Sequence, residues 1–258
     1  MRIGIDLGSR KVKFALTAEG RVTRLETFDT LSFYKRFGRM KGEELTFDLE
    51  GTGLFSAAEV AAATVVATGY GRNTLHLKGV RVVSEIRAHV AGALFQTGLR
   101  DFTLLDMGGQ DTKVALVRNG ALQDFVMNDK CAASSGRYLE NMAAILEVTL
   151  DELSSHWKDP VRLDATCGIF GESELIGQIL RGYSVARLCA GVNQTLVKRV
   201  IPMLKRFPSE KIVLTGGVAL DGALVRLLED EGFVVTVPPS PQHNGAIGCA
   251  VLQTSGGG

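Results

Sequence analysis

Hydrophobic positions along the chain follow two different periods, and these predict strands and helices in turn. Several short stretches either alternate apolar with polar residues or are continuously aliphatic, which is typical of β-strands. The predicted strands cover residues 3–7, 12–17, 22–28, 65–67, 102–105, 113–117, 124–127, 211–214 and 234–237.

Longer stretches repeat apolar residues at spacings of three and four, which predicts amphipathic helices. The predicted helices cover residues 84–95, 135–147, 172–180, 185–207, 221–231 and 245–252. Because strands alternate with helices, we expect an α/β protein with mixed sheets covered by helices. Residues 41–56 show no clear period, so the pattern predicts no element there.

The chain contains an internal repeat. Shifting the sequence by 100 residues aligns positions 5–22 with 105–122, and six of these eighteen positions are identical. Asp6 then falls on Asp106 and Lys13 on Lys113. Each copy predicts a strand, a glycine turn, a second strand, a polar turn and a third strand.

Two copies of this pattern predict two similar lobes. We expect an N-terminal lobe over residues 1–100 and a C-terminal lobe over 101–258, leaving open that the C-terminal helix at 245–255 packs on the first lobe.

Composition narrows the class of protein. The chain has 258 residues, of which 45% are hydrophobic, and a formal net charge of +1. This composition excludes a disordered chain and argues against a nucleic-acid binder. No apolar run approaches the roughly 20 residues that span a bilayer, and the chain opens directly into a predicted strand, not a signal peptide. Four cysteines in a chain of this length favour a reducing, cytoplasmic location.

Two turns carry the strongest chemical signal. Each repeat places an aspartate at a strand end and follows it with a turn of small residues, over positions 6–9 and 106–111. Such a turn can direct backbone N–H groups at phosphate oxygens while the carboxylates hold Mg²⁺ through its waters. One copy alone is more often an ordinary hairpin, whereas the pair favours a triphosphate site.

Two later segments are candidates for binding the adenosine part of a nucleotide. At 212–219 a buried strand enters a Gly-Gly turn, where a purine or ribose can approach the backbone. At 241–248 a turn enters a helix of small residues that can pack tightly on another element. Neither a Walker A pattern nor a complete G-x-G-x-x-G occurs, so we expect neither a P-loop nor a Rossmann site.

These four segments, in this order, resemble the ATP-binding superfamily of actin, the Hsp70 chaperones and the sugar kinases. The resemblance implies a duplicated βββαβαβα unit around a hinged cleft with ATP at its base.

The four cysteines divide into two pairs. Cys131 and Cys167 each come just before a predicted helix, where the helix dipole favours a thiolate. Cys189 lies on the apolar face of one predicted helix and Cys249 lies among small apolar residues of another, so both are interpreted as core residues. For Cys131 and Cys167 the simpler alternative is that both are buried small residues. A [4Fe–4S] cluster requires four thiolates, which a two-fold dimer could supply from two cysteines per chain.

Several motifs together resemble a particular family, the activators of 2-hydroxyacyl-CoA dehydratases and the ATP-binding subunits of benzoyl-CoA reductases. The motifs that carry the resemblance lie at residues 67–73, 106–111, 128–133 and 167–174. The resemblance implies a homodimer of an anaerobic metabolism in which Cys131 and Cys167 of both chains hold one [4Fe–4S] cluster. It also implies ATP-driven delivery of a low-potential electron to an iron–sulfur partner enzyme, with a ferredoxin or flavodoxin as donor.

The candidate site residues follow from the turns and from this resemblance. We expect Asp6 and Asp106 to place Mg²⁺ and the attacking water, together with Gln110. The residues expected to bind ATP or ADP are Gly8, Ser9, Arg10, Lys13, Gly108, Gly109, Gly216, Gly217, Val218, Gln242 and Asn244. Lys13 could equally be a solvated strand lysine.

Two other functions fit the same fold. One is a small-molecule kinase, which would need a polar acceptor pocket, and no cluster of Asn, Asp and Glu suggests one. The other is a regulatory ATP-binding protein without redox chemistry. Both alternatives predict a colourless protein, whereas the activator hypothesis predicts a brown one.

Overall fold

A computed structural model describes residues 1–42, 44–73, 79–128, 133, 135–164 and 168–252. The chain forms two compact units. The first comprises Met1–Gly98 and the end of the chain from Gln242 onward, and the second comprises Leu99–Pro241.

The first unit contains seven of the described strands. Their bounds are β1 Arg2–Leu7, β2 Lys11–Ala18, β3 Arg21–Asp29, β4 Arg39–Lys41, β5 Glu44–Thr46, β6 Thr64–Thr68 and β7 Arg81–Val82. Its described helices are α1 Thr30–Phe37, α2 Ala57–Ala62, α3 Glu85–Thr97 and α9 Asn244–Val251. The main sheet has the order β3-β2-β1-β6-β7, in which β1, β2 and β3 pair antiparallel and β1, β6 and β7 pair parallel.

The second unit repeats this sheet. Its described strands are β8 Phe102–Met107, β9 Thr112–Arg118, β10 Ala121–Asn128, β11 Lys211–Thr215 and β12 Val234–Thr236. They lie in the order β10-β9-β8-β11-β12 with the same pattern of antiparallel and parallel pairs. Its described helices are α4 Gly136–Ile145, α5 Leu150–Ser154, α6 Gly168–Leu180, α7 Val185–Leu204 and α8 Gly222–Asp230.

The second turn of each repeat has the same backbone. Glu19 and Gly20 between β2 and β3 have φ of 51° and 75°, and Asn119 and Gly120 between β9 and β10 have 52° and 75°. Two successive residues with positive φ are the requirement of a type I′ hairpin, whose twist matches that of its strands. The two copies of the predicted repeat therefore have nearly identical φ angles in this turn.

Each unit has its own hydrophobic core. In the first, aromatic rings pack over β1 and β2, with Phe33 completely buried and its ring centroid 4.9 Å from that of Phe47. These rings come from α1 and from the segment without a clear period, which forms the β4–β5 hairpin and a 3₁₀ turn at Glu50–Thr52. In the second, α7 supplies much of the core, including Leu188, Val192 and Leu196.

Helix α9 packs against β1 and α3 at very short range because glycines line the contact. A Cβ on Gly4 would lie 1.9 Å from the Ala246 carbonyl oxygen, and one on Gly248 would lie 1.7 Å from that of Ala88. No real side chain tolerates such distances, so only glycine allows this approach. The prediction that this small-residue helix packs tightly on another element is confirmed.

Among the described residues, no helix is long and apolar enough to cross a bilayer.

Candidate functional site

The two predicted aspartates occupy equivalent positions, one in each unit. Asp6 lies in β1 opposite Lys13 of β2, and Asp106 lies in β8 opposite Lys113 of β9. The Lys13 Nζ to Asp6 Oδ2 distance is 3.6 Å, and the corresponding distance between Lys113 and Asp106 is 3.9 Å. Each sheet therefore carries one cross-strand carboxylate–ammonium pair just before the predicted phosphate turn.

The two pairs differ in burial. The Lys13 side chain is 16% exposed, whereas that of Lys113 is 2% exposed and its Nζ also lies 2.6 Å from Asp111 Oδ2. A buried ammonium must be compensated by negative partners, because desolvation of an unpaired charge costs several kcal/mol. Lys113 is thus fixed between two carboxylates, a role the sequence indicates only through its match to Lys13.

The turns after the aspartates require small residues. A Cβ on Gly8 would lie 2.7 Å from the Lys11 carbonyl oxygen, and one on Gly108 would lie 2.7 Å from Asp111 Oδ1. In the first turn the Thr30 hydroxyl donates to the Gly8 carbonyl at 2.9 Å. In the second the Gly108 N–H donates to the Asp111 carbonyl at 2.9 Å. Both turns are therefore tightly folded around a glycine.

A Thr-Gly pair ends the strand beside each aspartate. Thr68 of β6 is the register partner of Asp6, and Thr215 of β11 is that of Asp106. The following residues, Gly69 and Gly216, have φ of 102° and 90°. Their Cβ positions would lie 2.6 Å or less from backbone atoms of the neighbouring strand end, so neither site accepts a larger residue.

The two threonines use their hydroxyls differently. Thr215 donates to Asp106 Oδ1 at 2.8 Å, whereas Thr68 donates to the Val83 carbonyl at 3.0 Å. The second-unit carboxylate is therefore oriented by Thr215 and Lys113, and the first-unit carboxylate by Lys13. Thr68 lies in the motif at 67–73 and Thr215 in the segment at 212–219, but neither is among the predicted site residues.

The remaining candidates in the β1–β2 and β8–β9 turns lie near the surface. Ser9, Arg10 and Gly109 are partly exposed, and Gln110 is exposed.

The candidates after β11 belong to the second unit. Gly217 has open space where a Cβ would stand, whereas Val218 is buried in the core. The Gly216 N–H donates to the Pro241 carbonyl at 3.0 Å. Gly217 is thus the residue of this turn whose backbone a flat group could approach.

The candidates near α9 belong to the first unit. Gln242 is partly exposed, and Asn244 is completely buried. The Asn244 amide donates to the His89 carbonyl at 2.8 Å and accepts from Gln96 at 2.9 Å. Its side chain therefore joins α9 to α3.

The structure places a histidine close to Asp6 that the sequence patterns do not assign to the site. A Cβ on Gly245 would lie 2.8 Å from His89 Nε2 and 3.0 Å from Asp6 Oδ2, so both groups approach the same glycine. His243 lies nearby, with Nε2 2.7 Å from the Thr27 hydroxyl, and burial is the main cause that lowers the pKa of His243. In the sequence, His89 could have been noticed only because it lies on a predicted helix that is otherwise rich in small residues.

The described cysteines are core residues, as predicted. Cys189 and Cys249 are completely buried. Burial raises the pKa of the Cys189 thiol to about 11 and raises the pKa of Cys249 well above its usual value. A thiol that resists ionisation is a poor metal ligand, because metals bind the thiolate.

Cys131 and Cys167 lie outside the described residues. The elements that follow them are described, since α4 begins at Gly136 and α6 at Gly168, the residue after Cys167. Among the described residues no cluster of His, Cys, Asp and Glu could hold a metal ion.

Comparison with known proteins agrees with this geometry. The sequence model of the BadF/BadG/BcrA/BcrD ATPase family matches residues 3–253. The chain is 35% identical to the (R)-2-hydroxyglutaryl-CoA dehydratase activating ATPase of Acidaminococcus fermentans, and the match covers 96% of this chain and 95% of that one.

Solved structures show the same fold. An activator of the 2-hydroxyisocaproyl-CoA dehydratase from Clostridium difficile with bound ADPNP superposes with a TM-score of 0.81, 32% identity and coverage of 96% and 92% of the two chains. A ROK family glucokinase from Streptomyces griseus superposes with a TM-score of 0.53 at 15% identity over 96% and 97%, a likeness of fold alone.

The predicted fold, a duplicated α/β unit of the actin, Hsp70 and sugar-kinase type, is thereby confirmed. So is the predicted kinship with dehydratase activators and benzoyl-CoA reductase subunits. Each sheet carries one aspartate–lysine pair, and the family model matches almost the full length of the chain. The chain therefore belongs to the BadF/BadG/BcrA/BcrD ATPase family.

Proposed function

We propose that this protein is an ATP-dependent activator that passes a low-potential electron to an iron–sulfur enzyme. The acceptor is a 2-hydroxyacyl-CoA dehydratase, a benzoyl-CoA reductase or a related enzyme that itself carries iron–sulfur clusters. The donor is a ferredoxin or flavodoxin. Family membership and the names of its relatives support the activator role, and the division of the cysteines supports the redox role.

The division of the cysteines is the observation that carries the proposal. Cys189 and Cys249 are fixed as neutral core thiols by burial, so Cys131 and Cys167 remain as candidate ligands. Two thiolates per chain give the four that a [4Fe–4S] cluster requires when two chains combine. The donor set therefore fits one cluster per homodimer, and when bound the cluster would supply the one-electron carrier.

The nucleotide chemistry is assigned to the two repeated turns. We assign the placement of Mg²⁺ and of the attacking water to Asp6 and Asp106, together with Gln110, which is exposed. The backbone of the two turns binds the phosphates together with Ser9, Arg10 and Lys13. Lys113 is too enclosed by its two carboxylates to do so.

The adenosine contacts divide into binding and supporting residues. Gly217 and Gln242 are accessible and contact the base or ribose. Gly216, Val218 and Asn244 support them, since Gly216 permits the close approach to β8 and the other two are buried.

Binding energy from the nucleotide can change the protein only if ATP and ADP favour different conformations. The proposed coupling is therefore a difference in affinity: the conformer that accepts an electron partner binds ATP more tightly than ADP. By reciprocity, partner binding then raises the affinity for ATP.

Anaerobic iron and sulfide analysis tests this function. Protein purified without air should be brown and contain about four irons and four sulfides per pair of chains. Cys131→Ala should lose the iron and the visible absorbance, because only the two Cys167 thiolates then remain per pair of chains. Cys189→Ala is the matched control and should retain both. A colourless wild-type protein, or iron retained by Cys131→Ala, would contradict the redox assignment.

A further inference from the structure

A row of four polar side chains crosses the first sheet beside the turn between β1 and β2. Its members are register partners in four neighbouring strands: Thr68 of β6, Asp6 of β1, Lys13 of β2 and Thr27 of β3. Residues that lie directly opposite each other in a sheet present their side chains to the same face. Two residues further into each strand this face is apolar, and Ala15 packs there against α9. The row is therefore the polar margin of an otherwise apolar face.

His243 closes this row at the β3 end. It stands immediately before α9, is partly buried, and its Nε2 lies 2.7 Å from the Thr27 hydroxyl oxygen. Burial is the largest cause that lowers the pKa of His243; the Lys13 ammonium lowers this pKa as well, and the Asp6 carboxylate raises it. The imidazole is therefore neutral near pH 7 and lies close enough to Lys13 and Asp6 for both charges to act on it.

The equivalent row of the second unit ends in a different side chain. Its members are Thr215, Asp106, Lys113 and Met127. Met127 thus stands at the position of Thr27 and offers a thioether, a weak acceptor, in place of a hydroxyl. The hydroxyl that holds His243 has no counterpart in the second copy of the repeat.

The charges beside the two rows differ as well. Residues 6–13 contain three basic residues and one acidic residue, whereas 106–113 contain one basic and two acidic residues. Lys113 is compensated by two carboxylates, but within the described part of the chain Lys13 has an ion pair with Asp6 alone. The first turn therefore retains positive charge for an anion, and Lys13 is the row lysine that can share its ammonium with one.

We propose that His243, held by Thr27, is a positioning residue that orients Lys13 towards the terminal phosphate of ATP. A lysine side chain is flexible, and a ligand that immobilises it loses part of its binding energy as conformational entropy. Because His243 and Thr27 fill the β3 end of the row, the Lys13 ammonium is kept at the Asp6 end, beside the turn, before the nucleotide binds.

This arrangement predicts discrimination between nucleotides. ATP and its analogue ADPNP carry the terminal phosphate and ADP does not, so a correctly oriented Lys13 favours the first two. The inference rests on the proposed function, because it requires ATP at the first turn.

Nucleotide affinities test the proposal. The Kd values of Mg·ADPNP and Mg·ADP are measured by calorimetry on protein purified and kept without air. The variants are Thr27→Val, His243→Ala, His243→Gln, which keeps a polar group of similar reach, and Lys13→Met, alone and combined with His243→Ala. Thr23→Val is the matched control, because Thr23 is another threonine of β3 and its hydroxyl donates to the Leu16 carbonyl.

We expect His243→Ala and Thr27→Val to weaken ADPNP binding about three- to tenfold and to leave ADP binding nearly unchanged. His243→Gln and Thr23→Val should bind both nucleotides like the wild type. In the Lys13→Met background, His243→Ala should cause no further loss, because a residue that acts through Lys13 then has nothing to position.

Three results would overturn the proposal. One is full ADPNP affinity in His243→Ala. Another is an equal loss of affinity for ADPNP and ADP. The third is an equal loss from His243→Ala with and without Lys13, which would make the histidine a structural residue only.

The outcome is separable from that of the iron analysis. Protein that shows this dependence on His243 but holds no iron would support the proposal and refute the redox function. Protein that holds the iron but binds ADPNP equally well after Lys13→Met would overturn the proposal and leave the cluster assignment intact. Protein that does not bind ADPNP at all would overturn both the proposal and the ATP-dependent function.

Discussion

At the scale of single residues, polar side chains at matching positions of the two units have different environments. Lys13 and Lys113 are equivalent in the repeat, but only Lys113 is buried between two carboxylates. Thr68 and Thr215 are equivalent as well, but only Thr215 donates to its aspartate. The second-unit carboxylate is held by Thr215 and Lys113, whereas the first-unit carboxylate lies near Lys13 and His89.

The aspartates and Lys13 could be found from sequence because charged residues coincide when the chain is shifted by 100. The threonines and Gly69 could not be found in that way. Their pattern, Val-x-Thr-Gly, occurs at 66–69 and 213–216, a shift of 147. The insertion of α4 to α6 between the sheet strands of the second unit changes the spacing, so one fixed shift cannot align both parts of the repeat.

Asp221 provides a prediction about pH. It caps α8, where it accepts from the Leu224 N–H at 3.1 Å, and burial raises its pKa to about 6. A carboxyl whose folded pKa is raised stabilises the fold while protonated, and that stability is lost as the pH rises from about 4 through about 6. A difference of about two between the folded and unfolded pKa corresponds to roughly 3 kcal/mol in the free energy of unfolding.

Asp221→Asn keeps the capping oxygen and removes the charge. The variant should match wild-type stability near pH 4 and exceed it increasingly up to about pH 6, with a constant difference above that. Thermal unfolding midpoints of the two proteins across this pH range provide the measurement. Parallel curves would show that the carboxylate has an ordinary pKa.

At the scale of elements, every predicted strand and helix has a counterpart in the structure. The elements that were not predicted are short: α1, α2, α5, β4, β5 and β7. Helix α1 had a recognisable signal, since Asp29 caps it and Phe33 and Phe37 are four residues apart. Strands β4 and β5 have three residues each, too few to establish a period. Their place is determined by the aromatic core they cover, and contacts of that kind are not visible in a local pattern.

Helix α9 depends on glycine for its contact with α3. Gly248→Ala would bring a Cβ within 1.7 Å of the Ala88 carbonyl oxygen, so the helices must separate. We expect a loss of about 1–3 kcal/mol, the usual cost of overpacking. Hydrogen exchange of the α3 and α9 amides measures it, and these amides should exchange faster in the variant.

Gly177→Ala in α6 is the matched control, because a Cβ there meets no atom within 4 Å. Replacing a helical glycine by alanine stabilises a helix by up to about 1 kcal/mol. Slower exchange in α6 with unchanged α3 and α9 is the expected control result. Unchanged exchange of α3 and α9 amides in Gly248→Ala would show that the close helix contact does not exist in solution.

At the scale of the whole molecule, the two units share one sheet topology, and the second unit has additional helices between its strands. The second unit inserts α4 to α6 between β10 and α7, and both candidate cluster cysteines lie in this insertion. The helix α4 of this insertion starts against the turn between β8 and β9, through the Gly136 and Arg137 N–H groups. Single-sequence patterns predicted the duplication, whereas the hydrogen bonds between the β8–β9 turn and the start of α4 have no signal in the sequence.

The central claim is that two chains share one iron–sulfur cluster through Cys131 and Cys167. Native mass spectrometry of protein prepared without air tests it most directly. We predict a mass of two chains plus one [4Fe–4S] unit, and a cluster-free mass for Cys131→Ala and for Cys167→Ala. A cluster carried by a single chain, or two chains without iron, would contradict it.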